Sequence, residues 1–388
     1  MDKISLYFKG DRVIWMVVII LSLASVLAVY SSTGTLAYKY QSGNTEYYLL
    51  KHFMILFIGL LLMYGAHLIK YTYYSRLSQI LIWIAVPMLV LTLLMGTNIN
   101  QASRWLTLPV VGISFQTSDL AKLALIMFVA RLLSKKQRQI KEFKTTFLPI
   151  IFPVILVCAL ILPANLSTAV ILFLTCLLLM FIGRIKITYL LSLFGIGLVV
   201  LSIMVAIIMY TPSQGRIATW KNRIENFVSG ENEGNYQVEQ SKIAIAKGGF
   251  TGVGPGNSTQ RNFLPHPYSD FIFAIIIEEY GLLGAMVLIL LYLILLFRTI
   301  RIATRSPGAF ATLLAMGCCF SLVFQAMINM AVAVNLFPVT GLPLPLVSMG
   351  GTSILFTSIA IGIILSVSKS ARKIKMQEKY TKKNFALT

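Results

Sequence analysis

Ten apolar stretches, each close to the length needed to cross a bilayer, run through the chain at about 13–33, 50–69, 77–96, 118–134, 146–163, 166–183, 187–210, 270–297, 309–333 and 350–368. A hydrocarbon layer of roughly 30 Å takes about 20 helical residues to span, whereas a tilted barrel strand needs only about 9–11. Backbone amides inside hydrocarbon must be bonded within the protein, so runs of this length predict helices. The expected fold is all-α: one polytopic membrane domain over 1–388, with about ten transmembrane helices. Only 12% of the residues are charged, against about 25% in soluble domains. The first run, after MDKISLYFKGDR, lacks an Ala-x-Ala-like cleavage site and reads as a retained span rather than a signal peptide.

The net charge is +20. In a soluble chain that would point to nucleic acid; here it reads as loop charge that sets orientation, with membrane lipids as partner and no nucleic acid. Alternating the segments between the ten spans puts 23 of the 33 Lys and Arg on the side holding both termini and 10 on the other, six of those in the loop 211–269. Both termini, including the basic tail 369–388, are therefore expected in the cytoplasm, and the chain in the cytoplasmic membrane. The four cysteines lie in apolar spans without ligand spacing, and the three histidines are scattered. No Gly-rich phosphate loop of Walker type occurs, which excludes a membrane ATPase.

Three segments fall on the opposite, external face: 97–122, 211–269 and the Pro- and Gly-rich 334–353. Beside them, FLPHPYSDFIFAIIIEEYG (263–281) sets Asp270 at the lip of a span and Glu278 and Glu279 inside it. Intramembrane acids are costly and point to function by default. Glu278 lies eight residues on, about 12 Å deeper on a helix, so it forms no close carboxylate pair with Asp270. Asp270 reads either as a lone base or as a helix N-cap. Glu278 and Glu279 read as partners of basic or backbone groups in the bundle. The run KGGFTGVGPGNSTQ (247–260) is either a flexible loop or a backbone that offers N–H groups to an anion. Arg104 and Trp105 are either interfacial anchors or, with Lys122, part of a site. A carboxylate, several cations and glycine-rich backbone at the membrane surface suit a lipid-linked diphosphate. The cations would hold the leaving group and the carboxylate would take a proton from an attacking hydroxyl.

The motifs carry a resemblance. DFIFAIIIEEYG (270–281) resembles the DFIFAxxxEExG signature of the SEDS family, the shape, elongation, division and sporulation proteins. YQVEQSKIAIAKGGFTGVGPGNSTQ (236–260), FPVTGLPLPLVSMGGTS (337–353), RWL (104–106) and FQTSDLAK (115–122) resemble further motifs of that family, in order along the chain. The resemblance implies a peptidoglycan glycosyltransferase that polymerises lipid II by inversion, with undecaprenyl diphosphate as leaving group and Asp270 as the essential acid. It implies substrate-binding candidates Arg104, Trp105, Lys122, Arg216, Lys221, Arg223, Gln237, Lys242, Gly249, Gly254, Ser258, Glu278, Ser348, Gly350 and Gly351. A divalent cation such as Mg2+ stays open as companion of the diphosphate. The implied partners are a class B penicillin-binding protein, which would supply crosslinking, and other membrane proteins of the divisome.

Two motifs depart from the family pattern. Its Pro-Ser-Glu reads Thr117, Ser118, Asp119, and Asn165 stands where an Asp is usual, so no acid role is carried to Asn165. GDRVIWMVVIILSLASVLAVYSS (10–32) resembles the division branch, which implies a septal role, more than the elongation branch, which stays as the alternative polymerase. A lipid II flippase and a non-catalytic scaffold for the penicillin-binding protein are the rival classes.

Overall fold

The computed structural model describes residues 9–34, 36, 44–95, 97–99, 102–107, 114–210, 218–223, 225 and 236–385. In chain order its main elements are α1 Arg12–Ser32, α2 Thr45–Leu68, α3 Tyr71–Met95, β1 Thr97–Ile99, β2 Ala102–Thr107, β3 Ser114–Gln116, α4 Thr117–Lys135, α5 Leu148–Ile161, α6 Leu166–Ile182, α7 Ile187–Tyr210, α8 Tyr236–Gly248, α9 Ile272–Ala303, α10 Gly308–Ala333 and α11 Thr352–Phe385. Every predicted span is a helix. Among the described residues eight helices are long and apolar enough to cross a membrane. α6 is apolar but shorter, and α4 carries Asp119, Lys122, Arg131 and Lys135.

Three features depart from the sequence reading. The segment 97–122 contains a small antiparallel sheet in the order β1-β2-β3, with Trp105 opposite Gln116. Its strands are too short to show a two-residue alternation, so the all-α expectation overlooked it. The long loop holds α8, whose buried Val238, Ser241, Ala244 and Gly248 recur along one face. α11 continues as helix through most of the segment read as a tail, to Phe385; that stretch is rich in Lys and free of Gly and Pro, and so favours helix.

α10 is the hub, packing on α4, α6, α9 and α11. Of their most apolar windows, 72% is buried in α10 and in α11, against 6% in α7, which lies at the periphery. α1 begins where Asp11 caps it: Oδ1 accepts from Val13 N at 2.9 Å and Ile14 N at 3.3 Å, satisfying first-turn donors. The same carboxylate pairs with Arg298 at the far end of α9.

α9 is broken at Gly281, where φ is 66° and ψ is −168°. Such a break orphans the carbonyls of Glu278 and Glu279 and the amides of Leu282 and Leu283, a cost of several kcal/mol for each group in hydrocarbon. The glycine-rich loop satisfies all four. Val253 N donates to Glu278 O at 2.9 Å and Gly254 N to Glu279 O at 3.0 Å. Leu282 N donates to Gly249 O at 3.0 Å and Leu283 N to Phe250 O at 3.3 Å. The run 247–260 is thus tied to α9: two of its amides and two of its carbonyls mend the break, and the amides of Thr259 and Gln260 donate to the Glu278 carboxylate.

Candidate active site

Asp270 lies two residues before α9. The N-cap position is Phe271, with no side-chain cap bond, so the N-cap reading of Asp270 does not hold. Its carboxylate Oδ1 accepts from Ser269 Oγ at 2.9 Å and the side chain stays partly exposed. The backbone around it is fastened from two directions. Asn329 Nδ2 on α10 donates to Asp270 O at 2.8 Å and to Leu342 O at 2.7 Å. Ser348 Oγ donates to Ser269 O at 2.6 Å, and Met349 N to Tyr268 O at 2.9 Å. The carboxylate is therefore held in place by contacts that do not consume it, near the positive end of the α9 dipole.

Asp270 opens into a polar cleft of about 190 Å³, lined also by Trp105, Asp119, Lys122, Asn165, Gln325, Pro343, Gly350 and Gly351. Residues from β2, α4, the α5–α6 turn, the approach to α9, α10 and the segment before α11 meet there. Lys122 is anchored by Asp119 at 3.3 Å and by Gln325 Oε1 at 2.9 Å. An ammonium has three donors, so these contacts leave one over. Asp119 Oδ2 is buried with no hydrogen-bond partner. Asn165 caps α6 through a 3.2 Å bond from Thr168 N, a role for which it needs no charge.

The other predicted residues are not part of the described cleft lining. Arg223 lies on the short helical piece 218–223; burial lowers its guanidinium pKa and the negative charge of Asp270 opposes that, which puts it within electrostatic reach of the cleft. Lys221 pairs with Glu225 at 3.8 Å. Arg216 and the side chain of Arg104 lie outside the described residues. On α8, Gln237 is half-buried and Lys242 exposed, and neither lines the cleft.

The remaining five, Glu278, Ser258, Gly249, Gly254 and Ser348, are corrected. Glu278 is wholly buried and turned away from the cleft: it accepts from Ser258 Oγ, from Thr259 N and Oγ1 at 3.0 Å each and from Gln260 N at 3.2 Å, with Lys247 at 3.8 Å. Ser258 is spent on Glu278, and Gly249 and Gly254 on the break in α9. Ser348 is buried behind Ser269. These residues build the site rather than line it. The pairing expected for the two glutamates is present for Glu278 with Lys247 and backbone amides, while Glu279 accepts from Ser31 Oγ. Replacing Glu278 with glutamine would turn an NH2 toward donors that need an acceptor. It is expected to cost about 3 kcal/mol, read as a lower thermal midpoint in detergent.

Sequence reasoning passed over Gln325 and Asn329. Two amides one helical turn apart inside an apolar span were the available signal. Among the described residues no group of three or more His, Cys, Asp or Glu side chains gathers for a metal.

The model of the FtsW/RodA/SpoVE family, described as cell cycle protein, matches residues 11–373. The chain is 32% identical to stage V sporulation protein E of Bacillus subtilis (strain 168) over 93% of its own length and 98% of that protein's. It is 32% identical to the probable peptidoglycan glycosyltransferase FtsW of Trichlorobacter lovleyi over 92% and 93%. Its fold matches a chain solved in work on the structural coordination of polymerization and crosslinking by a peptidoglycan synthase complex, with a TM-score of 0.73 and 24% identity, covering 93% of this chain and 98% of that one.

Proposed function

Because the chain belongs to the FtsW/RodA/SpoVE family of cell cycle proteins, the SEDS family, we propose that it is a peptidoglycan glycosyltransferase that polymerises lipid II at its polar cleft. The observation that carries this reading is the convergence of Asp270, Lys122, Asp119 and the Gly350–Gly351 backbone on one cleft at the end of a helical bundle. Relatives that match over nearly their whole length are named probable peptidoglycan glycosyltransferases.

In the proposed reaction Asp270 takes the proton of the 4-hydroxyl on the acceptor's N-acetylglucosamine. That oxygen forms a bond to the anomeric carbon of the donor's N-acetylmuramic acid while the bond to undecaprenyl diphosphate breaks. A single base serves an inverting displacement with an activated leaving group. Lys122 and Arg223 stabilise the departing diphosphate. A Mg2+ ion brought in with that diphosphate would add positive charge there, with Asp119 to hold it. The distribution of basic residues supports a cytoplasmic location for both termini; with that orientation the cleft faces outward, and lipid II would be consumed there.

We assign the chain to septal synthesis in the divisome, with a class B penicillin-binding protein as its crosslinking partner. The support is the division-like N-terminal span and the FtsW-named relatives. The test is lipid II polymerisation by the purified chain with that partner, crosslinking blocked by a β-lactam. Glycan ladders are expected; their absence under every partner and divalent-ion condition would favour transport or scaffolding. Lys122→Gln keeps the bond to Gln325 within reach and removes the charge. It is expected to slow ladder formation on the order of 10²-fold, with an unchanged elution profile in detergent.

A further inference from the structure

At the end of the bundle opposite Asp270, on the order of 40 Å along α9, lies a second polar pocket of about 360 Å³. The start of α1, the last turns of α9 and the emerging α11 form it, and its charged lining is Arg12, Arg298, Arg301, Arg305 and Arg372 against Asp11. Arg298 is neutralised by Asp11, with Nε 3.1 Å from both carboxylate oxygens, and Arg372 Nη1 donates to Gly10 O at 3.4 Å. Arg12, Arg301 and Arg305 form no ion pair among the described residues. We propose that this pocket binds the phosphate of an anionic phospholipid headgroup.

Orientation rules and the α9 dipole explain positive charge at this end, but lysine would serve both. The lining instead uses arginine alone, although Lys9 and Lys369 stand on the same segments outside it. A guanidinium presents a planar fork that matches phosphate oxygens two at a time; an ammonium does not. The volume falls at the lower end of the range for small-ligand sites, about 300–1,000 Å³. Below the pocket, Met16 on α1 and Phe297 on α9 are 60% and 63% exposed, an apolar surface on which acyl chains can lie. With the proposed orientation the pocket faces the cytoplasmic leaflet, where anionic headgroups collect and basic pockets between helices hold them.

The test is native mass spectrometry of the full chain in uncharged detergent, titrated with phosphatidylglycerol, with phosphatidylcholine, and with inorganic phosphate as competitor. Wild type is expected to retain phosphatidylglycerol over phosphatidylcholine. Arg301→Gln with Arg305→Gln is expected to weaken that binding about tenfold or more. Lys141→Gln with Lys144→Gln removes equal charge from exposed positions outside the pocket and is expected to leave it unchanged. Arg301→Lys with Arg305→Lys keeps the charge, removes the fork and should also weaken binding. Equal losses in the pocket and control variants would mean surface charge alone and overturn the site, as would a pocket variant that binds like wild type. Displacement by inorganic phosphate at concentrations similar to the lipid would support the phosphate chemistry but move its source to the free anion. Persistence of the bound lipid supports the headgroup.

Discussion

Replacing Asp270 with asparagine is expected to abolish glycan ladders while the protein still folds and still binds its crosslinking partner. The substitution keeps an oxygen where Oδ1 accepts from Ser269 Oγ. It leaves untouched the backbone bonds from Asn329 and Ser348 that set the segment's position. What disappears is the capacity to take up a proton, and general base catalysis contributes about 10²–10⁴ in rate. The measurement is lipid II polymerisation with a β-lactam present, comparing wild type, Asp270→Asn and Asp270→Ala at matched thermal midpoints. Ladders from the asparagine variant at near wild-type rate would move the base elsewhere, and Asp119, the other carboxylate at the cleft, would be the next residue to replace.

The second large effect falls on a residue outside the cleft lining. Gly252→Ala should leave almost no folded protein. A Cβ at Gly252 would lie 2.2 Å from the Glu279 carbonyl oxygen, and its φ of +83° adds strain for any residue with a side chain. Relieving the clash means lifting the loop off the break in α9, which frees the groups at Glu278, Glu279, Leu282 and Leu283. The expected cost is at least about 4 kcal/mol, a large part of a typical protein's stability. Gly256→Ala is the control. Its φ is +77° but nothing lies within 4 Å of the new Cβ, so only backbone strain of about 1–2 kcal/mol is expected. Yields of monodisperse protein from parallel preparations compare the two. Equal yields would mean that the loop is not wedged into the helix break.

Much of the fold was legible because bilayer length imposes itself directly on sequence. Each span had to be a mainly apolar run, so most helices emerged within about six residues of their expected places, while α11 runs on to Phe385. The short sheet at 97–116 was not legible: β1 and β3 have three residues each, and pairing across a bend leaves no periodic mark. Of the residues that resemblance and chemistry proposed for the site, Asp270, Trp105, Lys122, Gly350 and Gly351 line the cleft. They could not separate residues that face substrate from those that hold the site together. Glu278, Ser258 and Ser348 carry the same polar groups as cleft residues, and only burial and partners reveal where those groups are spent.

The sequence by itself determined the class of molecule, its ten helical stretches, the uneven placing of its basic residues and the acid on which the proposed chemistry depends. These follow from local composition, which the bilayer reads one segment at a time. The tertiary structure alone decided that Asp270 is free of capping duty, that Gln325 and Asn329 complete its surroundings, and that the glycine-rich loop mends the break at Gly281. Those outcomes depend on which hydrogen-bonding groups meet across long separations in the chain, and single-segment patterns carry no record of such meetings.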